Sequence, residues 1–139
     1  MLKEQDLSVG QEHVAAVVEN LTRTQIVQYA GASGDYNPIH TDEVFATQVA
    51  GYPSVFAHGM LTMGLTGKML TDYVGLANLR SFGVRFTRQV WPGDDLKATA
   101  TVTGIQQVGQ ERIVELELNT RNQQDEIVLS GYATARIAS

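Results

Sequence analysis

From Ser81 onward, apolar residues fall at every second position in four successive segments, and that pattern excludes most folds. Phe82, Val84, Phe86 and Val90 share one side, with Ser81, Arg85 and Gln89 on the other. Leu96, Ala98, Ala100 and Val102 then oppose Lys97, Thr99, Thr101 and Thr103. Val114, Leu116 and Leu118 oppose Glu115, Glu117 and Asn119, and Ile127, Leu129, Ala133, Ala135 and Ile137 oppose Ser130, Tyr132, Thr134 and Arg136. Successive strand side chains point to opposite faces, so strict alternation predicts half-buried strands. Pro92-Gly93-Asp94-Asp95, Gly109-Gln110 and Asn122-Gln123-Gln124-Asp125 supply the turns of an antiparallel meander covered on one face. A further strand is expected from Glu12 to Val18.

The first half must supply the cover. Thr22-Arg23-Thr24-Gln25 fits a capping box, and Ile26, Tyr29 and Ala30 recur at helical spacing until Gly31 and Gly34. Thr41 is expected to cap a second short helix, with Asp42 and Glu43 in its first turn and Phe45 and Val49 on its inner face. From about His58 to Leu70 a third helix is apolar nearly all round, through Met60, Leu61, Met63, Leu65, Met69 and Leu70. Such a helix is expected to be buried. Gly64 and Gly67 weaken it by roughly 1 kcal/mol each, a cost that makes sense if a sheet wraps closely around them. The expected fold is therefore α+β, a curved antiparallel β-sheet wrapped around a central buried α-helix: the hot-dog architecture. One helix cannot cover such a sheet completely, so pairing of two copies is the expected completion.

Composition narrows the function. At 139 residues the chain is expected to form a single domain spanning 1–139. Its net charge of -5 and scattered basic residues argue against nucleic acid or an anionic membrane as partner. There is no cysteine, which removes disulfides, thiolate nucleophiles and cysteine-ligated zinc. Met1 to Asp6 carries no apolar signal region, and the stretch Val55 to Leu70 is too short and interrupted to span a bilayer. A cytoplasmic location is expected.

Of only three histidines, one stands five positions after an aspartate, in Gly34-Asp35-Tyr36-Asn37-Pro38-Ile39-His40, and another opens His58-Gly59-Met60. Pro38 keeps Asn37 extended, so Asp35 and His40 can point inward from one loop that is not helical. Asp and Asn are also ordinary turn formers, and an isolated Asp-x-Asn-Pro is most often only a turn. Asp35, His40, Asp42 and His58 are all metal-ligand types. The sequence has neither a cysteine nor paired histidines at helical spacing, and no metal site is expected.

Tyr29-Ala-Gly-Ala-Ser-Gly-Asp-Tyr-Asn-Pro-Ile-His40 resembles the signature of the MaoC-like, (R)-specific enoyl-thioester hydratases and dehydratases. Ala57-His-Gly-Met-Leu-Thr-Met-Gly64 resembles the start of that family's central helix. Val84-Arg-Phe-Thr87 and Trp91-Pro-Gly-Asp-Asp-Leu96 follow in the family's order. Within the family, the wording is nearest to the actinobacterial (3R)-hydroxyacyl-carrier-protein dehydratase subunits of mycolic-acid synthesis. The resemblance implies reversible hydration of trans-2-enoyl thioesters in fatty-acid metabolism. No cofactor is implied beyond the coenzyme A or acyl-carrier-protein phosphopantetheine that carries the substrate. The implied assembly is a homodimer or a heterodimer with a related hot-dog subunit.

The residue types suit that chemistry. Hydration needs water to attack C3, a proton to reach C2, and the thioester oxygen to carry enolate charge. Asp35 and His40 can hold one water between them, with His40 expected as principal base and Asp35 sharing the water. Residue type alone leaves their division of labour open. Asn37 can orient Asp35 or a loop carbonyl. Gly59, at the helix start where N–H groups lack partners, is the expected oxyanion donor, and such donors are worth roughly 3 kcal/mol each. Substrate contacts are expected from Tyr36, Pro38, His58 and Met60. Gly64 and Gly67 are expected to line an acyl tunnel, Gly67 standing where the family often has a serine or threonine. As for chemistry, His58 is expected to be a helix-start residue that holds the loop rather than an acid or base. A hot-dog thioesterase is the rival activity, but the helix expected from His58 to Leu70 lacks its usual carboxylate. A non-catalytic partner subunit is the other rival.

Overall fold

A computed structural model describes residues 2–137. Five strands, β1 (Glu12–Val18), β2 (Leu79–Phe86), β3 (Leu96–Val108), β4 (Glu111–Arg121) and β5 (Ile127–Arg136), form one antiparallel sheet in the order β1-β3-β4-β5-β2. Strands β3 to β5 make the expected meander. Strand β2 departs from it by pairing with β5 at the far edge. Period-two alternation dictates which face a strand buries but not which strand lies beside it. The inward positions Ala98, Ala100, Ala133 and Ala135 are fully enclosed. Their small side chains leave room for helix α2 (Gly59–Val74), whose Met69, Leu70, Tyr73 and Val74 pack against them.

Helix α1 (Arg23–Ser33) starts with the full Thr22–Gln25 capping box, as the sequence suggests, and runs through Gly31. It stops at Gly34, whose φ of 76° a side chain would disfavour. Ile26 of α1 packs with Leu21, Ala57, Val90, Leu96 and Val128 in a second apolar cluster. That cluster pins the chain entering α2 to the Trp91–Asp94 turn, and Ala57 N–H donates to Val90 O at 2.8 Å.

Two expectations need correction. Helix α2 reaches Val74 and is not buried on every side. Met60, Gly64, Lys68 and Asp72, spaced by four, form an exposed ridge, because the sheet covers only the opposite face. Lys68 and Asp72 close an ion pair along that ridge at 2.6 Å. The short segment after the motif is a wide π-type turn over Phe45–Val49, closed by Ala50 N–H donating to Phe45 O at 2.9 Å. Its start is held by Asp42 Oδ1, which accepts from Phe45 N–H at 3.1 Å, and not by Thr41. The wider turn moves Val49 out to solvent and leaves Ala46 as the buried residue. Among the described residues, no helix is long and apolar enough to cross a membrane.

Candidate active site

The loop between α1 and the π-type turn is built from two nested side-chain turns. Asp35 Oδ1 accepts from Asn37 N–H at 3.2 Å, and Asn37 Oδ1 accepts from Ile39 N–H at 3.2 Å. Asn37 therefore orients the loop backbone, while its own N–H steadies the Asp35 carboxylate. His40 N–H donates to Asn37 O at 3.1 Å, and the loop is laid against the next segment by Phe56 N–H donating to Ile39 O. These bonds bring Asp35 Oδ2 to 3.9 Å from His40 Nε2. The carboxylate is half exposed, while the imidazole is 9% exposed. The pair faces solvent from one side and the protein interior from the other.

The tautomer of His40 follows from its second nitrogen. Nδ1 lies 2.7 Å from Phe56 O, and a carbonyl only accepts, so the proton sits on Nδ1. Neutral His40 then presents a lone pair at Nε2, on the side of Asp35. Burial holds the imidazole below the ordinary histidine value; the Phe56 carbonyl opposes that shift, nearby His58 adds to it, and Asp35 opposes it. His40 is thereby kept neutral and able to accept a proton.

His58 lies behind this pair. Its Nε2 is 3.0 Å from Asp35 O, its ring stacks on His40 with centroids 3.9 Å apart, and Tyr29 meets it edge-on at 4.8 Å. At 2% exposure it offers no surface to a substrate, contrary to the contact expected of it. Ligand-type atoms of Asp35, His40 and His58 do lie within 4.8 Å of one another. Asp42, the fourth metal-ligand type in the sequence, is instead spent on the π-type turn.

Gly59 is the first residue of α2, with its N–H among those left unpaired by helix geometry. A Cβ here would stand 3.1 Å from the ring of Phe86, which is 49% exposed. Gly59, Phe56, Thr62, Phe86, Arg88 and Val128 line an open cavity of about 320 Å³. Phe56 joins the cavity to the Asp35–His40 pair, since the edge of its ring meets His40 at 5.2 Å. Arg88 reaches the cavity wall and pairs with Glu126 at 3.7 Å.

The other expected contacts scatter. Tyr36 is exposed beside Asp35, and Pro38 is half-buried. Met60 is 55% exposed on the open ridge. Gly64 faces nothing within 4 Å, whereas Gly67 is backed by Phe82, 3.1 Å from where a Cβ would stand. The space expected beside Gly67 is thus filled by an aromatic ring. Phe56 and Phe86 were not singled out from sequence. Phe86 reads as one more inward strand residue, and a role played through the Phe56 carbonyl leaves no mark on residue type.

Residues 5–124 match the family described as MaoC like domain. The chain belongs to that family. It is 40% identical over 87 residues to 3-hydroxyacyl-thioester dehydratase Y of Mycobacterium tuberculosis, an alignment covering 60% of this chain and 30% of that protein. It is 30% identical over 135 residues to the (R)-specific enoyl-CoA hydratase of Rhodospirillum rubrum, covering 96% of this chain and 90% of that protein. The MaoC-like chain also superposes on the (R)-hydratase from A. caviae involved in PHA biosynthesis with a TM-score of 0.83 and 25% identity, covering 96% and 99% of the two chains. It spans less than half the length of some of its relatives, the dehydratase Y and the peroxisomal enoyl-CoA hydratase 2 of Arabidopsis thaliana among them. The five-stranded sheet and its helix are the hot-dog fold of these neighbours.

Proposed function

We propose that this chain, as a single MaoC-like domain, reversibly hydrates trans-2-enoyl thioesters to (3R)-hydroxyacyl thioesters in fatty-acid metabolism. One observation carries the reading: an unprotonated His40 Nε2 stands 3.9 Å from Asp35 Oδ2, with its tautomer set by the Phe56 carbonyl. A water held between two acceptors gives up a proton to His40 as its oxygen attacks C3. The electrons of the double bond move toward the thioester oxygen, where the Gly59 N–H stabilises the enolate. A proton from the same Asp35–His40 pair then reaches C2, so H and OH add from one side. Dehydration runs these steps in reverse. Water, the acid–base pair and a backbone donor suffice, and the carrier thiol of coenzyme A or acyl carrier protein is the only group brought by the substrate. Phe86, exposed on the edge strand β2 against Gly59, supports a second copy, or a related hot-dog subunit, completing the site, with exposed Met60 adding apolar surface.

The thioesterase alternative loses support. Asp72 is the one carboxylate on α2, and it is exposed, paired with Lys68 and more than three turns beyond Gly59. Crotonyl-coenzyme A tests the proposal: its enoyl-thioester absorbance should disappear, and chiral analysis should return the (3R) alcohol. Release of free coenzyme A without a hydroxyacyl product, or a (3S) product, would overturn it.

A further inference from the structure

We propose that His58 is a positioning residue that sets the geometry of the Asp35–His40 pair without touching substrate. The inference rests on the hydratase reading for its kinetic consequences, though not for its geometry. Three observations converge on this side chain. Its Nε2 bonds the backbone carbonyl of Asp35 across 23 positions of sequence, tying the catalytic loop to the start of α2. Its ring lies against the His40 ring with an interplanar angle of 26°, which limits how His40 can swing. Its backbone is the N-cap of α2, so the Gly59 N–H follows directly from it. One buried residue thereby links the carboxylate, the base and the oxyanion donor.

The chemistry of His58 is as constrained as its place. The Asp35 carbonyl only accepts, so Nε2 carries the proton. Nδ1 is then an acceptor, and among the described residues it is buried with no hydrogen-bond partner. Protonating Nδ1 would place an N–H where the protein offers nothing to receive it, next to a second imidazole. With nothing placed to exchange a proton with Nδ1, His58 is unsuited to deliver one itself. The ionisable groups acting on His40 are His58 and Asp35, and Tyr29 of α1 packs edge-on against His58. A ring stacked on His40 helps keep it dry and neutral; an open-chain amide would do so less well.

Two substitutions separate these duties. His58→Phe keeps a ring and loses the donor; His58→Gln keeps a donor and loses the ring. Loosening the loop in His58→Phe should lower kcat on crotonyl-coenzyme A by about tenfold to a hundredfold. KM should change by less than about twofold, since His58 contacts no substrate. His58→Gln should recover much of kcat, yet move the acid limb of kcat/KM to higher pH as His40 becomes easier to protonate. Unchanged kcat and an unmoved acid limb in both variants would overturn the proposal, as would a raised KM at constant kcat. A readout free of turnover guards against misfolded variants and against a failed hydratase reading. In the wild-type protein, imidazole nitrogen resonances should show the His58 proton that faces the Asp35 carbonyl on Nε2. Finding the proton on Nδ1, with Nε2 bare, would sink the positioning role even if hydration is observed. Failure of wild-type hydration alone would sink the proposed function and leave the resonances to judge His58.

Discussion

Asp35 divides its two oxygens between structure and chemistry: Oδ1 takes the Asn37 N–H, and Oδ2 stands across from His40. Asp35→Asn keeps an oxygen for the loop and replaces Oδ2 with a group that donates where an acceptor is needed. It should fold normally and lose about a hundredfold or more in kcat, as should His40→Ala. If both side chains hold one water, as the proposed mechanism has it, the double variant should be far less impaired than the product of the two single losses. A fully multiplicative loss would refute the shared water. The sign of the pH dependence follows from His40. Its folded value lies below the ordinary 6.5, so the neutral base persists to lower pH and the acid limb of hydration kcat/KM should fall below 6.5. The unfolded chain binds that proton more readily, so stability from this group is whole above 6.5 and is lost as pH falls toward the lowered folded value. An acid limb at or above 6.5 in a steady-state pH series would contradict the assignment of His40 as base. The pair was legible in the sequence because its spacing is local. The Phe56 carbonyl was not, since it acts across 16 positions through a backbone acceptor that residue identity does not encode; for His58 the sequence suggested a hold on the loop, but not the stack on His40.

Helix α2 shows how far a one-dimensional pattern reaches. Its apolar run announced a helix packed on a sheet, and that is where it lies. Which side turned inward was not legible, because methionines and leucines occur around most of its circumference. The inner face instead includes Thr62 and Thr66, and Thr66 Oγ1 meets Thr120 Oγ1 of β4 at 2.6 Å. Both hydroxyls are enclosed, so each depends on the other, 54 positions away. Thr66→Val should orphan the Thr120 hydroxyl and cost about 1–3 kcal/mol, and Thr120→Val should cost about as much. Replacing both should cost less than either single change, because two apolar side chains of the same shape leave nothing unpaired. Chemical denaturation of the three variants closes this cycle. Additive losses would show that the two hydroxyls stand apart in the folded protein.

At the scale of the whole molecule, the sheet ends in two open edges, β1 and β2. Alternation in the sequence revealed the strands and their buried faces, but pairing is decided by contacts between distant segments, so the position of β2 beside β5 had to come from the structure. That position has a consequence for assembly. Among the described residues no strand pairs with the outer edge of β2, whose exposed Phe86 lies against Gly59, and Met60 is exposed one position further along α2. Apolar side chains at an open strand edge favour a second sheet continuing the first. The same surface adjoins the cavity lined by Gly59 and Arg88, so a partner there would also wall that cavity. Light scattering should therefore give twice the chain mass of 15.2 kDa at micromolar concentration. On dilution, specific activity should fall in step with the fraction of dimer, because mass action removes the wall together with the partner. Added thioester should hold the dimer together to lower concentration, since a ligand bound across both copies favours their association. A monomer that keeps full activity through the dilution series would leave the Asp35–His40 chemistry in place and confine the whole site to one chain.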